Sequence, residues 1–376
     1  MKKGISIYPG LDNTPEENMA LIQSAARLGI TRIFTSLQIP ETDRTLFRQQ
    51  LHELLKLASS LHMDVISDIS PASLGLLGME EFSLPRLHQK GLRTLRLDDG
   101  FTAAQIAELS QNDCGISLQL NASVLNEAAL KKLQQQGCRL DRLEALHNFF
   151  PRENTGLSEE FTLRKTRLLQ SYGIKTGAFV PSFARPRSPL KAGLPTLELH
   201  RETSFSFAIR QLAAMGMDCI FIGDSLPAEQ ELAALAELDD SAVLLRPDWL
   251  PGLTALEEKL CQQVFTARPD EARDVLRTVE SRRLAAQMLK KQAQEKNHAN
   301  NIFPSISPRQ ETGLPRPAGT ITLDNQLYQR YQGELQITKT DLPPDRRINV
   351  LGHLPALEQS LLKYISPGRK FHFIWA

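Results

Sequence analysis

The chain has 376 residues and no apolar run long enough to span a bilayer. Charge of one sign is also missing. Forty-four Lys and Arg against 43 Asp and Glu leave a net charge of +1, so there is neither a basic footprint for nucleic acid nor an acidic tail. Cysteine is scarce. Cys114, Cys138, Cys219 and Cys261 form no CxxC pair and no Cys/His cluster, which excludes a disulfide scaffold or a zinc site and fits a reducing cytosolic setting. The opening MKKGISIYPG is broken by Ser6 and Pro9, too soon for a secretory signal, so a cytoplasmic location without membrane attachment is expected. There is no GxGxxG, no P-loop, no GxSxG elbow and no metal-ligand spacing, and therefore no expected nicotinamide, cofactor or metal. Low-complexity tracts are absent as well.

What is present is a rhythm. KGISIYP (3–9), RIFTS (32–36), DVISDIS (64–70), TLRLDDG (94–100), ISLQLNAS (116–123), LEALHNF (143–149), KTGAFVPS (175–182) and CIFIGD (219–224) are short apolar runs, most ending in a polar residue. They read as strands covered on both faces, because the apolar residues are nearly continuous instead of strictly alternating. Helix-patterned segments separate them. Thr14-Pro15, Thr102, Asn126 and Ser158 begin such segments as caps, and Gly29, Gly137, Gly173 and Gly216 end them. The spacing predicts an α/β fold, a TIM (β/α)8 barrel in roughly 240 residues, close to the ~250 typical of that fold. Beyond Leu238 the rhythm stops. GTITLDN, GELQITKTDLPPD, RINVLGHL and KFHFIWA suggest a small, mostly β second domain. The expected division is a catalytic barrel over 1–240 and a β domain over 241–376, with a linker near 239–250.

In a barrel, side chains at the carboxyl ends of the strands converge on one pocket. Asp68, Asp98, Asn121, His147, Asn148 and Asp224 occupy such ends. Alternation with Leu95 and Leu97 turned outward places Arg96 and Asp98 on the axis, and Asp99 reads as a cap. Each of these positions has a plainer reading as a turn cap, a helix cap or one half of a barrel-holding ion pair. The segment HNFFPRENTG (147–156) joins His147, Asn148 and Arg152 to two phenylalanines, a combination suited to a pyranose ring. After the seventh strand runs a long loop, 182–201, with Arg185, Arg187, Lys191, Glu198, His200 and Arg201. Long loops in compact domains are usually functional, and this region of a barrel often binds phosphate. Acids, amides and a histidine around one mouth, with arginines nearby, suit acid/base chemistry on a phosphorylated small molecule. Glycoside hydrolysis is one option, an isomerase or aldolase another.

Taken together, GISIYP, TRIFTSL, Asp-x-Ser-Pro at 68–71, LRLDDGF, LNAS, HNFFPRENTGLS, PLKAGLPTLELHR, FIGD, DNQLYQRYQGELQI and DLPPDRRINVLG resemble the bacterial 6-phospho-N-acetylmuramidase family over essentially the whole chain. The resemblance implies a TIM barrel followed by a cyclophilin-like domain. It also implies hydrolysis of the β-1,4 bond of 6-phospho-N-acetylmuramyl-N-acetylglucosamine, a disaccharide of cytosolic cell-wall recycling. Gly10 departs from the pattern, standing where relatives often carry an acid, so it supplies no catalyst here. With the resemblance, the expected catalytic carboxyl groups are Asp68 and Asp98 with Glu198 or Asp224. Asn121, His147, Asn148, Arg152 and His200 are expected substrate contacts, and Arg185, Arg187 and Arg201 phosphate contacts. The expected partner is the small phosphorylated disaccharide, not nucleic acid or membrane. The second domain's role stays open between capping the mouth, forming a homo-oligomer and binding the reducing-end sugar. The rival readings are a barrel lyase or isomerase of sugar phosphates, for which no strand-end lysine offers a Schiff base, a non-catalytic phosphosugar-binding protein, and a prolyl isomerase.

Overall fold

The structure, a computed structural model, describes residues 1–36, 44–69, 75, 77–97, 100–295, 305–309 and 311–375, with the side chains of 44–46 and 295 left aside. Two compact units divide the chain, Met1–Leu238 and Asp239–Ala376.

The first unit is a closed barrel of eight parallel strands. In chain order its elements are β1 (Lys2–Ser6), α1 (Pro15–Arg27), β2 (Arg32–Ser36), α2 (Arg44–Ser60), β3 (Asp64–Ile69), α3 (Leu84–Gln89), β4 (Leu92–Leu97) and α4 (Ala103–Ser110). There follow β5 (Ser117–Asn121), α5 (Glu127–Gln135), β6 (Leu143–Leu146), α6 (Glu159–Ser171), β7 (Lys175–Val180), α7 (Phe205–Ala214), β8 (Cys219–Ile222) and α8 (Glu229–Glu237). All eight apolar runs of the sequence are strands, and β1 closes the barrel on β8.

The helices start where their caps predict. Thr14 and Thr102 each form a reciprocal capping box, with Glu17 and Gln105, and Asn126 and Ser158 cap with their side chains. Gly29 ends α1 at φ 76°, a conformation that is costly for any residue with a Cβ.

Strand alternation sorts the barrel interior into three levels. The middle level is apolar and largely aromatic, with Phe34, Ile66, Leu146, Phe179 and Phe221 packed together. The Phe34 and Phe179 rings meet edge to face at 5.2 Å. The level toward the strand starts is polar. There Arg32 pairs with Asp64 at 2.9 Å and Glu144 at 2.7 Å. The level toward the strand ends is polar too, and includes Ser36, Asp68, Arg96 and Asn121, all buried.

The second unit holds β9 (Val243–Leu245), β10 (Asp248–Trp249), α9 (Ala255–Cys261), β11 (Val264–Thr266), β12 (Val275–Arg277) and α10 (Ser281–Glu295). It continues with β13 (Thr320–Asp324), β14 (Leu335–Thr338), β15 (Ile348–His353), α11 (Ala356–Gln359) and β16 (Lys370–Phe373). The strands form a five-stranded sheet, ordered β10-β15-β13-β14-β12, and a three-stranded sheet, β11-β16-β9. The span 239–250, expected as a linker, instead contributes β9 and β10. The apolar AVLL sequence pairs with β16 in place of running free in solvent.

Candidate active site

Asp68 ends β3 beside its register partners Ser36 on β2 and Arg96 on β4. It is 8% exposed and accepts a hydrogen bond from Ser36 Oγ at 2.6 Å. Arg96, likewise buried, donates to Asn148 Oδ1. Asn148 is fixed from its other side, its amide donating to Ser123 Oγ at 3.0 Å and its carbonyl accepting from Thr196. Asn121 is buried and accepts from the Ser123 amide at 3.1 Å. Asp68, Arg96 and Asn121 thus sit at the ends of adjacent strands β3 to β5, and Asn148 follows β6 by two residues. Asp98, with Asp99 and Ser70-Pro71, lies outside the described residues.

Arg187 comes from the loop after β7. Its guanidinium carbon sits 4.7 Å above the Tyr8 ring and 5.4 Å from the Phe149 ring, an arrangement attractive through both faces. Nε donates to the Ser188 carbonyl at 3.1 Å. Both Nη groups lack a protein acceptor among the described residues. Arg187 is only 7% exposed. A buried guanidinium with unused donors is a ready receptor for a phosphate or carboxylate. Burial raises the Tyr8 hydroxyl well above its ordinary pKa, and the charges of Arg187, Asp224 and Asp68 also act on it, so all three belong to one neighbourhood. Tyr8 Oη donates to the Gly223 carbonyl at 2.8 Å, which locks the ring under Arg187.

Several sequence expectations change role here. Asp224 does not face the mouth. It is fully buried and accepts from the backbone amides of Ser182, Arg187 and Leu194 at 2.9, 2.8 and 3.1 Å. Burial pushes its carboxyl up, against the pull of those amides. These bonds tie the 182–194 loop and the Arg187 backbone to the residue two beyond β8. Glu198 accepts from the Asn154 and Gly156 amides at 2.7 and 2.6 Å and from Arg201 Nε at 2.8 Å. Its partial burial favours the neutral acid, but these donors hold the carboxyl below its usual range. The contact needs glycine at 156, where an added Cβ would lie 2.4 Å from Glu198 Oε2.

Arg201 is committed in the same way. Beyond Glu198, it donates to the carbonyls of Ala192, Gly193, Phe150 and Arg152, which leaves it stapling two loops together with no free fork for phosphate. Arg185 pairs with Glu17 at 2.8 Å and donates to the Asp12 carbonyl at 2.9 Å, joining the loop to the start of α1. His147 is fully buried behind the strand, with Nδ1 3.4 Å from Ser123 Oγ and Nε2 3.2 Å from Thr166 on α6. Burial, helped by the nearby charges of Arg96 and Lys165, drives its pKa down to about 3. His200 is equally buried, bonded to Gln211 at 2.9 Å, and burial takes it down to about 4. Neither imidazole can reach a ligand at the mouth. Arg152 keeps an exposed side chain on the loop beside the mouth.

Tyr8 and Ser36 are site residues that the strand-end survey passed over. The signal for Tyr8 was its position in GISIYP, two residues beyond the inward-facing Ser6 of β1.

The fold and site together define a TIM-barrel protein with a buried carboxylate at its strand ends and an aromatic-cradled arginine in the loop after β7. Two family models match the chain, the 6-phospho-N-acetylmuramidase N-terminal region over residues 3–237 and the C-terminal region over 243–374. The chain belongs to the 6-phospho-N-acetylmuramidase family. It is also similar along its whole length to two crystal structures. One is an uncharacterized protein from B. cereus, 27% identical with a TM-score of 0.82, the match covering 100% of this chain and 99% of that one. The other is a conserved protein from a locus in Enterococcus faecalis with an unknown function, 32% identical with a TM-score of 0.66, covering 100% and 96%. No curated protein matches.

Proposed function

We propose that this chain is a glycosidase that cleaves 6-phospho-N-acetylmuramyl-β-1,4-N-acetylglucosamine, or a close 6-phosphorylated relative, in cytosolic cell-wall recycling. The observation that carries the reading is Arg187, buried against the Tyr8 and Phe149 rings, with Asp68 acting on the same Tyr8 hydroxyl. Arg187 is held by two rings and offers two unused Nη groups, which suits a phosphoryl dianion through a bidentate fork. Asp68 supplies a carboxyl group at the strand-end level. Asp98 is the second carboxyl group in this proposal, because it follows the inward Arg96 by two residues in the sequence. Glu198 and Asp224 leave the catalytic set, since backbone amides claim their oxygens. In the proposed reaction one carboxyl group protonates the departing glycosidic oxygen, and the other assists attack at the anomeric carbon. The ring hydroxyls and acetamido group face Asn121, Asn148 and the exposed Arg152.

Two variants test the pieces separately. Asp68→Asn is expected to lower kcat on the phosphorylated disaccharide about 10²–10⁴-fold, the usual contribution of a positioned acid or base. Near-native turnover by that variant would remove Asp68 from the chemistry. Arg187→Ala is expected to raise KM for the phosphorylated substrate and erase the preference over its dephosphorylated counterpart. If the wild-type protein handles both with equal kcat/KM, Arg187 is no phosphate receptor. Ligand binding with no turnover in the wild type would instead favour a phosphosugar-binding protein.

A further inference from the structure

The barrel has a second polar end, beneath the aromatic middle level. A pocket of about 260 Å³ opens there, at the amino-terminal ends of β5 to β8. Eight parallel strands normally fill this end with apolar side chains. Here the register instead aligns Gln119 of β5 with Glu144 of β6, and Glu144 with Lys175 of β7. Arg32 of β2 lies across from them, its charge met by Asp64 and Glu144.

Two features of this pocket are open to a ligand. Gln119 is 2% exposed, and its Oε1 is sealed from solvent without a hydrogen-bond donor. Its amide has no partner among the described residues. A buried amide oxygen left without a donor costs about 1–3 kcal/mol and is rare in folded proteins. The other feature is Lys175, an exposed cation on the rim with no ion pair to any described residue. Glu144 is taken, being bound to Arg32 at 2.7 Å and Lys2 at 3.3 Å. Asp218, also on the rim, accepts from the Thr176 amide at 2.8 Å.

We infer that this pocket is a second ligand site, for a small hydroxylated anion the size of a phosphorylated monosaccharide. A hydroxyl group would meet the Gln119 side-chain amide group at depth while the phosphoryl group meets Lys175 at the rim. The layer of Phe34, Phe179, Phe221, Ile66 and Leu146 separates it from the mouth, so the two sites bind independently.

The test is calorimetric titration of the full chain carrying Arg187→Ala, with glucose 6-phosphate, glucose and inorganic phosphate as probes. The expected result is saturable binding of glucose 6-phosphate, with weaker or no binding of the other two. Adding Lys175→Ala, on the surface, should weaken that binding about tenfold, the value of one charge-assisted contact. Adding Gln119→Leu should weaken it similarly. The inference is overturned if glucose 6-phosphate does not bind saturably, if glucose or inorganic phosphate binds as well, or if both added substitutions leave the affinity unchanged. Disaccharide cleavage plays no part in this readout, so the result does not depend on the role given to the mouth.

Discussion

Asp224 and Glu198 come from different parts of the chain and meet the same fate. Each carboxylate gathers backbone amides from a loop that lacks regular hydrogen bonding, three amides for Asp224 and two for Glu198. This is how a long loop stays ordered without secondary structure. Asp224→Asn would set a side-chain donor against amides that need acceptors. It is expected to destabilise the barrel by about 3 kcal/mol, the scale of lost hydrogen bonds to a buried charge. Urea unfolding of the variant measures this. An unchanged midpoint together with abolished turnover would return Asp224 to the chemistry. The arginines divide in the same manner. Arg201 satisfies four carbonyls and one carboxylate, whereas Arg187 keeps its outer donors, and only the second arrangement leaves something for a ligand.

At the scale of elements, strand and helix positions were readable because they rest on local chemistry. RIFTS is β2 residue for residue, and Thr14, Thr102, Asn126 and Ser158 cap the helices they precede. The division of roles among the polar strand ends was not readable. Whether His147 looks into the mouth or back at α6 depends on one step of strand alternation and on Thr166, which lies 19 residues away in sequence. Likewise, nothing local to Glu198 reveals that Asn154 and Gly156 return to it. The two buried histidines have a measurable consequence at this scale. Both have folded-state pKa values below the ordinary 6.5, about 3 for His147 and about 4 for His200, so the unfolded chain binds protons more readily. Their contribution to stability is therefore complete above about pH 6.5 and falls away as the pH drops toward 4. Between pH 7.5 and 5 each is expected to cost about 2 kcal/mol, the slope approaching 1.36 kcal/mol per pH unit below 6.5. Denaturation series at pH 7.5 and 5 on wild type and His147→Gln will measure the difference. If the variant loses as much stability as the wild type over that interval, His147 is not the group responsible.

At the scale of the molecule, each unit has its own aromatic core. The barrel is built around Phe34, Phe179 and Phe221, and the second unit around Phe265, Phe371 and Phe373. Both tryptophans of the chain belong to the second unit, where Trp249 stacks on Trp375 at 4.7 Å and meets Phe373 edge-on at 5.3 Å. Tryptophan fluorescence therefore reports on the second unit, while far-UV circular dichroism is dominated by the helices of the barrel. Phe179→Ala removes a fully buried ring from the middle level, and the cavity is expected to cost about 3–5 kcal/mol. Compact units with separate cores unfold as separate cooperative transitions unless they are strongly coupled. In thermal melts of Phe179→Ala, the circular dichroism midpoint is accordingly expected to fall further than the fluorescence midpoint. Phe371→Ala should give the opposite ranking. Equal shifts in both probes for both variants would show that the chain unfolds as a single cooperative body, and that the aromatic level of the barrel supports more than the barrel.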